Sequence, residues 1–205
     1  MTDKGAFADR KRTQEEEYFR KQEQQQIEKM RRHAALEAER RELAEALGVS
    51  DEEALGKLQE LGFTREMAPL VYLAPPVQDA WADGRVSASE RELILADARS
   101  RGIAEDSLGG KALAGWLDHR PAESFFEKTL SAIGAMLRAL PPDQRESQKR
   151  DLVSACARIA EASGGIIDFL GFGSKVSKAE QETIARITAE LERGDSPATE
   201  ETIGG

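Results

Sequence analysis

Aromatic residues make up only 5% of the 205-residue chain, which also has a single cysteine, Cys156, and two histidines, His33 and His119. A lone cysteine cannot close an internal disulfide, so the cytoplasm or another reducing interior is the expected location. With two distant histidines and no Ser/His/Asp pattern, nucleophilic catalysis has no support; the expectation is a non-enzyme with no catalytic residue and no cofactor. Apolar stretches such as Gly165-Ile166-Ile167 and Phe169-Leu170 fall far short of the roughly 20 residues of a membrane-spanning helix. The start, Met1-Thr2-Asp3-Lys4, has no apolar signal-peptide core. Few aromatics, 33% charged residues and apolar spacing of three and four argue against a β-sandwich or barrel. The expected fold class is all-α: a long N-terminal helix followed by a compact multi-helix domain.

Charge divides the chain in two. Residues 1–45 hold 11 of the 29 Lys/Arg and 11 of the 38 Asp/Glu, so residues 46–205 keep 18 against 27 and carry the whole net charge of −9. Neutralising phosphates needs a basic face. The acidic part lacks one, which argues against nucleic acid and against an anionic membrane surface.

From Thr13 to Leu47 there is neither Gly nor Pro, and strong helix formers dominate. One helix is expected there, opened by a Thr13/Glu16 capping box and closed by a left-handed Gly48. Ile27, Met30 and Ala34 share a face, but the next core positions, Glu37 and Arg41, are charged, so a heptad fails after one and a half repeats. Such a stripe can stand solvated alone or dock on a partner.

Beyond Gly48 the pattern shortens. Ser50 with Glu53 predicts a helix reaching Leu61. Thr64 opens another that Pro75-Pro76 must break or kink, followed by a short helix over 76–83. Ser87 with Glu90 caps a helix that stops at Gly102, and a further helix ends before Pro121. Phe125, Phe126, Thr129, Leu130, Ile133, Met136, Leu137 and Leu140 mark the best candidate for a central core helix, ended by Pro141-Pro142. Leu152, Val153, Cys156, Ile159 and Ala160 form the next stripe, then a Gly-rich bend runs over 164–173. Ser177 with Glu180 caps a last helix through Ile184, Ile187 and Leu191. The expected division is 1–47, 48–194 and a disordered tail over 195–205. Residues 84–94 can be laid over 174–184, with Val, Ser, Glu, Glu and Ile coinciding in order. Either duplication or two helix starts with the same capping chemistry explains this.

The run Gly5-Ala6-Phe7-Ala8-Asp9-Arg10, with Glu15-Glu16-Glu17-Tyr18-Phe19-Arg20 and Gln26-Ile27, resembles the inhibitory region of the mitochondrial ATP synthase inhibitor family over about residues 5–33. In that family the segment is partly disordered when free and enters a catalytic interface of the F1 head, blocking ATP hydrolysis. The resemblance implies the α, β and γ subunits of that head as partners. It places Phe7 at the central stalk, pairs Glu15 with a basic residue of the catalytic subunit, and lines a docking face with Tyr18, Arg20, Gln26, Ile27 and Met30. Arg10, Glu16 and Phe19 belong to the same partner-binding set. The family continues into a His-rich dimerising coiled coil; here His33 alone remains and a different domain follows.

Residues 66–193 resemble the TerB (tellurite-resistance) family of all-α domains, through Ala80-Trp81-Ala82-Asp83-Gly84-Arg85-Val86-Ser87 with Glu90, and Ala160-Glu161-Ala162-Ser163-Gly164-Gly165 with Lys175-Val176-Ser177 and Glu180. This implies a helical, acidic domain linked to stress responses and divalent cations. The pairing of the two modules points to a bacterial chain.

Glu15-Glu16-Glu17 alone would be a solvated first turn. Beside Tyr18, Phe19, Arg20 and Phe7 it reads as an interface, since aromatics and Arg are the usual anchors. Asp83, Glu90, Glu161 and Asp168 lie at junctions that the repeat would place together, where they could converge on a divalent cation; but seven residues from Asp83 to Glu90 do not make an EF-hand, capping already explains Glu90, and no metal ligand is assigned. His33 reads as solvated, His119 as a helix-end residue and Cys156 as a small core residue. The bend over 164–173 is no phosphate loop, because no strand leads into it. The expected function is inhibition of ATP hydrolysis by the F-type ATP synthase, with the second domain sensing or recruiting. The competing reading is a stress-response scaffold or metal-binding module whose N-terminal helix self-associates as a coiled coil.

Overall fold

The computed structural model of the chain describes residues 3–163 and 176–193, with side chains over 17–162 and 176–192. Among the described residues every regular element is a helix. They run α1 (Asp3–Leu47), α2 (Glu52–Glu60), a 3₁₀ segment (Arg65–Leu73), α3 (Ala74–Ala80), α4 (Ala88–Ser100), α5 (Leu108–Asp118), α6 (Glu123–Arg138), α7 (Pro142–Ser163) and α8 (Lys178–Arg193). The all-α expectation is met, long N-terminal helix included. The chain divides into two units, residues 1–41 and 42–205.

In the first unit, α1 starts at Asp3, so Thr13 lies inside the helix and does not cap it. The residues ahead of Thr13 explain the extension. Apart from Gly5, at a cost of about 1 kcal/mol, they are ordinary or good helix formers with no Pro. From Glu17 to Leu36 the side chains are exposed, joined by short-range pairs such as Arg32–Glu28 at 3.1 Å. Exposed pairs of this kind contribute only tenths of a kcal/mol each, so length and propensity carry the helix.

The second unit begins with the last turn of α1. Leu43 is 1% exposed and Leu47 packs against the same core. Gly48 follows with φ +66°, the left-handed residue expected at a helix end. The next cap differs from expectation: Asp51, not Ser50, begins α2, its Oδ1 accepting from the Ala54 amide at 2.8 Å. Both residues can cap, and the buried Val49 just ahead fixes the register. Thr64 is followed by a 3₁₀ segment, because Pro69 has no N–H to carry an α-helical ladder through it. Pro75 and Pro76 then open α3 instead of breaking a helix, since first-turn amides need no intrahelical partner. The short helix therefore spans 74–80, not 76–83.

All seven residues of α3 are buried. It packs on α4, α6, α7, α8 and the 3₁₀ segment, and is the enclosed centre of this unit. Helix α6 was the better candidate by periodicity, and it does bury Phe126, Leu130, Ile133, Met136 and Leu137. Its opposite face, however, reaches solvent. Phe63, Trp116, Phe125 and Phe126 form one aromatic cluster with neighbouring centroids 4.9–6.0 Å apart. Trp81 Nε1 donates to the Trp116 carbonyl at 2.8 Å and ties the end of α3 to α5.

The boundary can be tested by truncation. A fragment of residues 42–205 should show helical circular dichroism and melt cooperatively. A fragment starting at 48 loses Leu43 and Leu47, and should melt about 5–15 °C lower, the shift expected for losing one large buried apolar side chain or more. Equal melting temperatures would place the boundary at Gly48.

Candidate functional site

On α1, at about 100° per residue, Gln26, Phe19, Met30, Ala34, Ile27 and Arg20 fall within an arc of about 120°. All are exposed: Phe19 by 69%, Met30 by 60%, Ile27 by 40%. Tyr18 lies about 80° outside the edge of that arc. Its hydroxyl accepts from Gln22 Nε2 at 3.2 Å, and its ring meets Phe19 edge-on at 6.2 Å. Phe19, Met30 and Ile27 thus make one apolar row, flanked by Arg20 and Gln26, with Tyr18 beside it on the turn of Phe19. Glu23 sits in the middle of the arc, so the row is apolar only in patches. Phe7, Arg10, Glu15 and Glu16 lie on the helical backbone of α1, and their side chains are outside the described residues.

In the second unit, the junctions singled out by sequence are helix starts. Ser87 Oγ accepts from the Glu90 amide at 3.3 Å, and Glu90 Oε2 accepts from the Ser87 amide at 2.7 Å, a complete capping box on α4. Ser177 and Glu180 make the same reciprocal pair at α8. The two halves of the sequence repeat therefore share one capping chemistry. Asp83 Oδ1 accepts from the Arg85 amide at 3.1 Å, closing a turn, and Glu161 is exposed. Asp168, the Gly-rich bend over 164–173 and the tail from 194 lie outside the described residues. Among the described residues no three His, Cys, Asp or Glu side chains are grouped so as to hold a metal ion. His33 and His119 are exposed, and Cys156 is buried.

One residue was missed by sequence reasoning. Asp79, the next-to-last residue of α3, is 0% exposed, and neither carboxyl oxygen has a hydrogen-bond partner. Burial, with Glu180 and Glu90 nearby, pushes its pKa up to about 8. Burial also raises Glu90, against the two hydrogen bonds to Ser87 that lower it, and raises the Cys156 thiol, which feels the Asp79 charge as well. A signal for Asp79 was present: the repeat aligns Glu90 with Glu180, and Gln78 and Asp79 close the apolar run over 67–77 ahead of the first of them.

No protein-family model matches the chain, and neither the curated proteins nor the solved structures hold a match to it.

Because Tyr18 and Phe19 are exposed, Tyr18→Ala and Phe19→Ala should move the melting temperature by no more than about 2 °C, as for surface substitutions worth about 0.5 kcal/mol or less. A thermal melt followed by circular dichroism checks this. A drop of 5 °C or more in either variant would mean that these rings hold the fold together.

Proposed function

We propose that the chain is a non-catalytic bacterial regulator whose N-terminal helix inhibits ATP hydrolysis by the F-type ATP synthase, inserting into a catalytic interface of the F1 head. The observation that supports this best is the exposed row of Phe19, Met30 and Ile27 on an otherwise charged helix, with Arg20 and Tyr18 adjoining it. An isolated helix gains nothing from displaying large apolar side chains to water. A partner groove that takes them gains about 1.5–3 kcal/mol for each one fully buried. The residues that make this row are also the ones that resemble the inhibitory segment of the mitochondrial inhibitor family. The α, β and γ subunits of the head are the proposed partners, and the cytoplasm is the proposed place of action. The second unit, which resembles TerB domains, is the proposed sensing or recruiting module.

Self-association through α1 as a coiled coil is disfavoured by the charged Glu37 and Arg41, which stand where the next core positions of the stripe would fall.

The test is steady-state ATP hydrolysis by the cognate F1 with the full chain added. Wild type should inhibit, and Phe19→Ala or Arg20→Ala should weaken inhibition roughly thirty-fold, the effect of losing about 2 kcal/mol at an interface anchor. Glu39→Ala, exposed and off the row, should change inhibition less than about two-fold, as expected of a surface charge. Absence of inhibition at tens of micromolar, or equal losses in Glu39→Ala and Phe19→Ala, would contradict the reading.

A further inference from the structure

Five elements pack on α3: α4, α6, α7, α8 and the 3₁₀ segment. The ionisable groups they bring towards Asp79 are Glu90 from α4, Glu180 from α8 and Cys156 from α7. The cations of these elements are engaged elsewhere or exposed. Arg91 of α4 pairs with Asp118, and Lys128 of α6 pairs with Glu60 at 2.9 Å. Lys149 of α7 pairs with Glu146 at 3.3 Å, and in α8 Lys178 lies 3.6 Å from Glu182 while Arg186 reaches Glu123 at 3.2 Å. Glu123 of α6 receives Gln78 Nε2 at 3.2 Å, one residue before Asp79. Arg65 and Glu66 of the 3₁₀ segment are exposed, and Tyr72 is the group that feels Arg101. Asp79 thus sits buried and without a hydrogen-bond partner, with the carboxylates of Glu90 and Glu180 acting on it and no cation facing it among the described residues.

A carboxyl so placed is tolerable when neutral and costly when charged, since an uncompensated buried charge is disfavoured both by desolvation and by its like-charged neighbours. The neighbours matter because each is the working half of a helix cap. We propose that the meeting point of α3, α4 and α8 is a proton-operated latch: it is closed while the Asp79 carboxyl is protonated, and the Ser87/Glu90 and Ser177/Glu180 caps open when it ionises. Repulsion from an Asp79 carboxylate acts on Glu90 and Glu180, the side chains that hold the Ser87 and Ser177 amides. The first turns of α4 and α8 therefore loosen before the apolar core does. This device is independent of what α1 binds.

The sign of the pH dependence follows from the raised pKa. The proton on Asp79 is held more tightly in the folded chain than in the unfolded one. Stability from this group is complete below about pH 4, declines as pH rises towards about 8, and levels off above it.

Tryptophan fluorescence of the full chain, titrated from pH 6 to 10, reads the latch, because Trp81 lies two residues beyond Asp79 on the same turn. Wild type should show a transition centred near pH 8, and Asp79→Asn should abolish it. Glu180→Gln keeps an oxygen for the cap but removes one repelling charge, so the transition should move to lower pH. At pH 9, amide exchange at Ser87 and Ser177 should be faster in wild type than in Asp79→Asn. A transition that persists in Asp79→Asn, a wild type with none between pH 6 and 10, or an unmoved midpoint in Glu180→Gln would each overturn the latch. The wild-type titration alone decides the matter if Asp79→Asn does not fold.

Discussion

A seven-residue helix with no face to the water is the constraint around which the second unit is organised. Helix α3 is too short to be stable alone and has no polar side, so α4, α6, α7, α8 and the 3₁₀ segment must cover it all round. Two prolines start it without cost, and two of its side chains, Gln78 and Asp79, have to be accommodated in the dry interior. Gln78 does so in part, through its amide on Glu123. For Asp79, burial and the nearby Glu180 and Glu90 raise the pKa and so favour the neutral carboxyl. The two capping boxes that begin α4 and α8 are thereby linked to the centre of the fold and not only to their own helices.

The first unit obeys the opposite rule. Nothing within residues 17–36 is covered, and the helix stands on the propensity of its residues and a few exposed ion pairs. Its apolar row costs the free chain little because it is narrow, with Glu23 lying within it. That same narrowness makes it suited to a partner groove and poorly suited to a self-paired coiled coil. Exposed anchors on one unit and an enclosed core in the other are consistent with separate tasks for the two.

Much of this was legible in the sequence. Chemically punctuated features are legible: the Ser87/Glu90 and Ser177/Glu180 boxes, the left-handed Gly48, the helix stop at Gly102, and the stripe of α6. What failed did so for identifiable reasons. Ser50 and Asp51 are adjacent residues that can both cap, and only tertiary register selects between them. The Thr13 box is a valid pattern inside a helix that starts earlier, because nothing ahead of it stops a helix. Amphipathic periodicity found α6, which packs on α2, α3, α7, α8 and the 3₁₀ segment; what it passed over is α3, which has one kind of face and fewer than two turns. Asp79 escaped for the same reason. An acidic residue in a short segment normally marks the solvent side, and here there is none. On α1, the helix angle separates Tyr18 from the row that Phe19, Met30 and Ile27 share.

In the proposed inhibition, α1 meets F1 through the row around Phe19. Hydrogen exchange of the full chain with and without cognate F1 under ATP hydrolysis measures this directly. Docking by α1 alone should slow exchange from Glu17 to Ala34 and leave α2 to α8 unchanged. Slowed exchange confined to the second unit, with residues 17–34 unaffected, would contradict it.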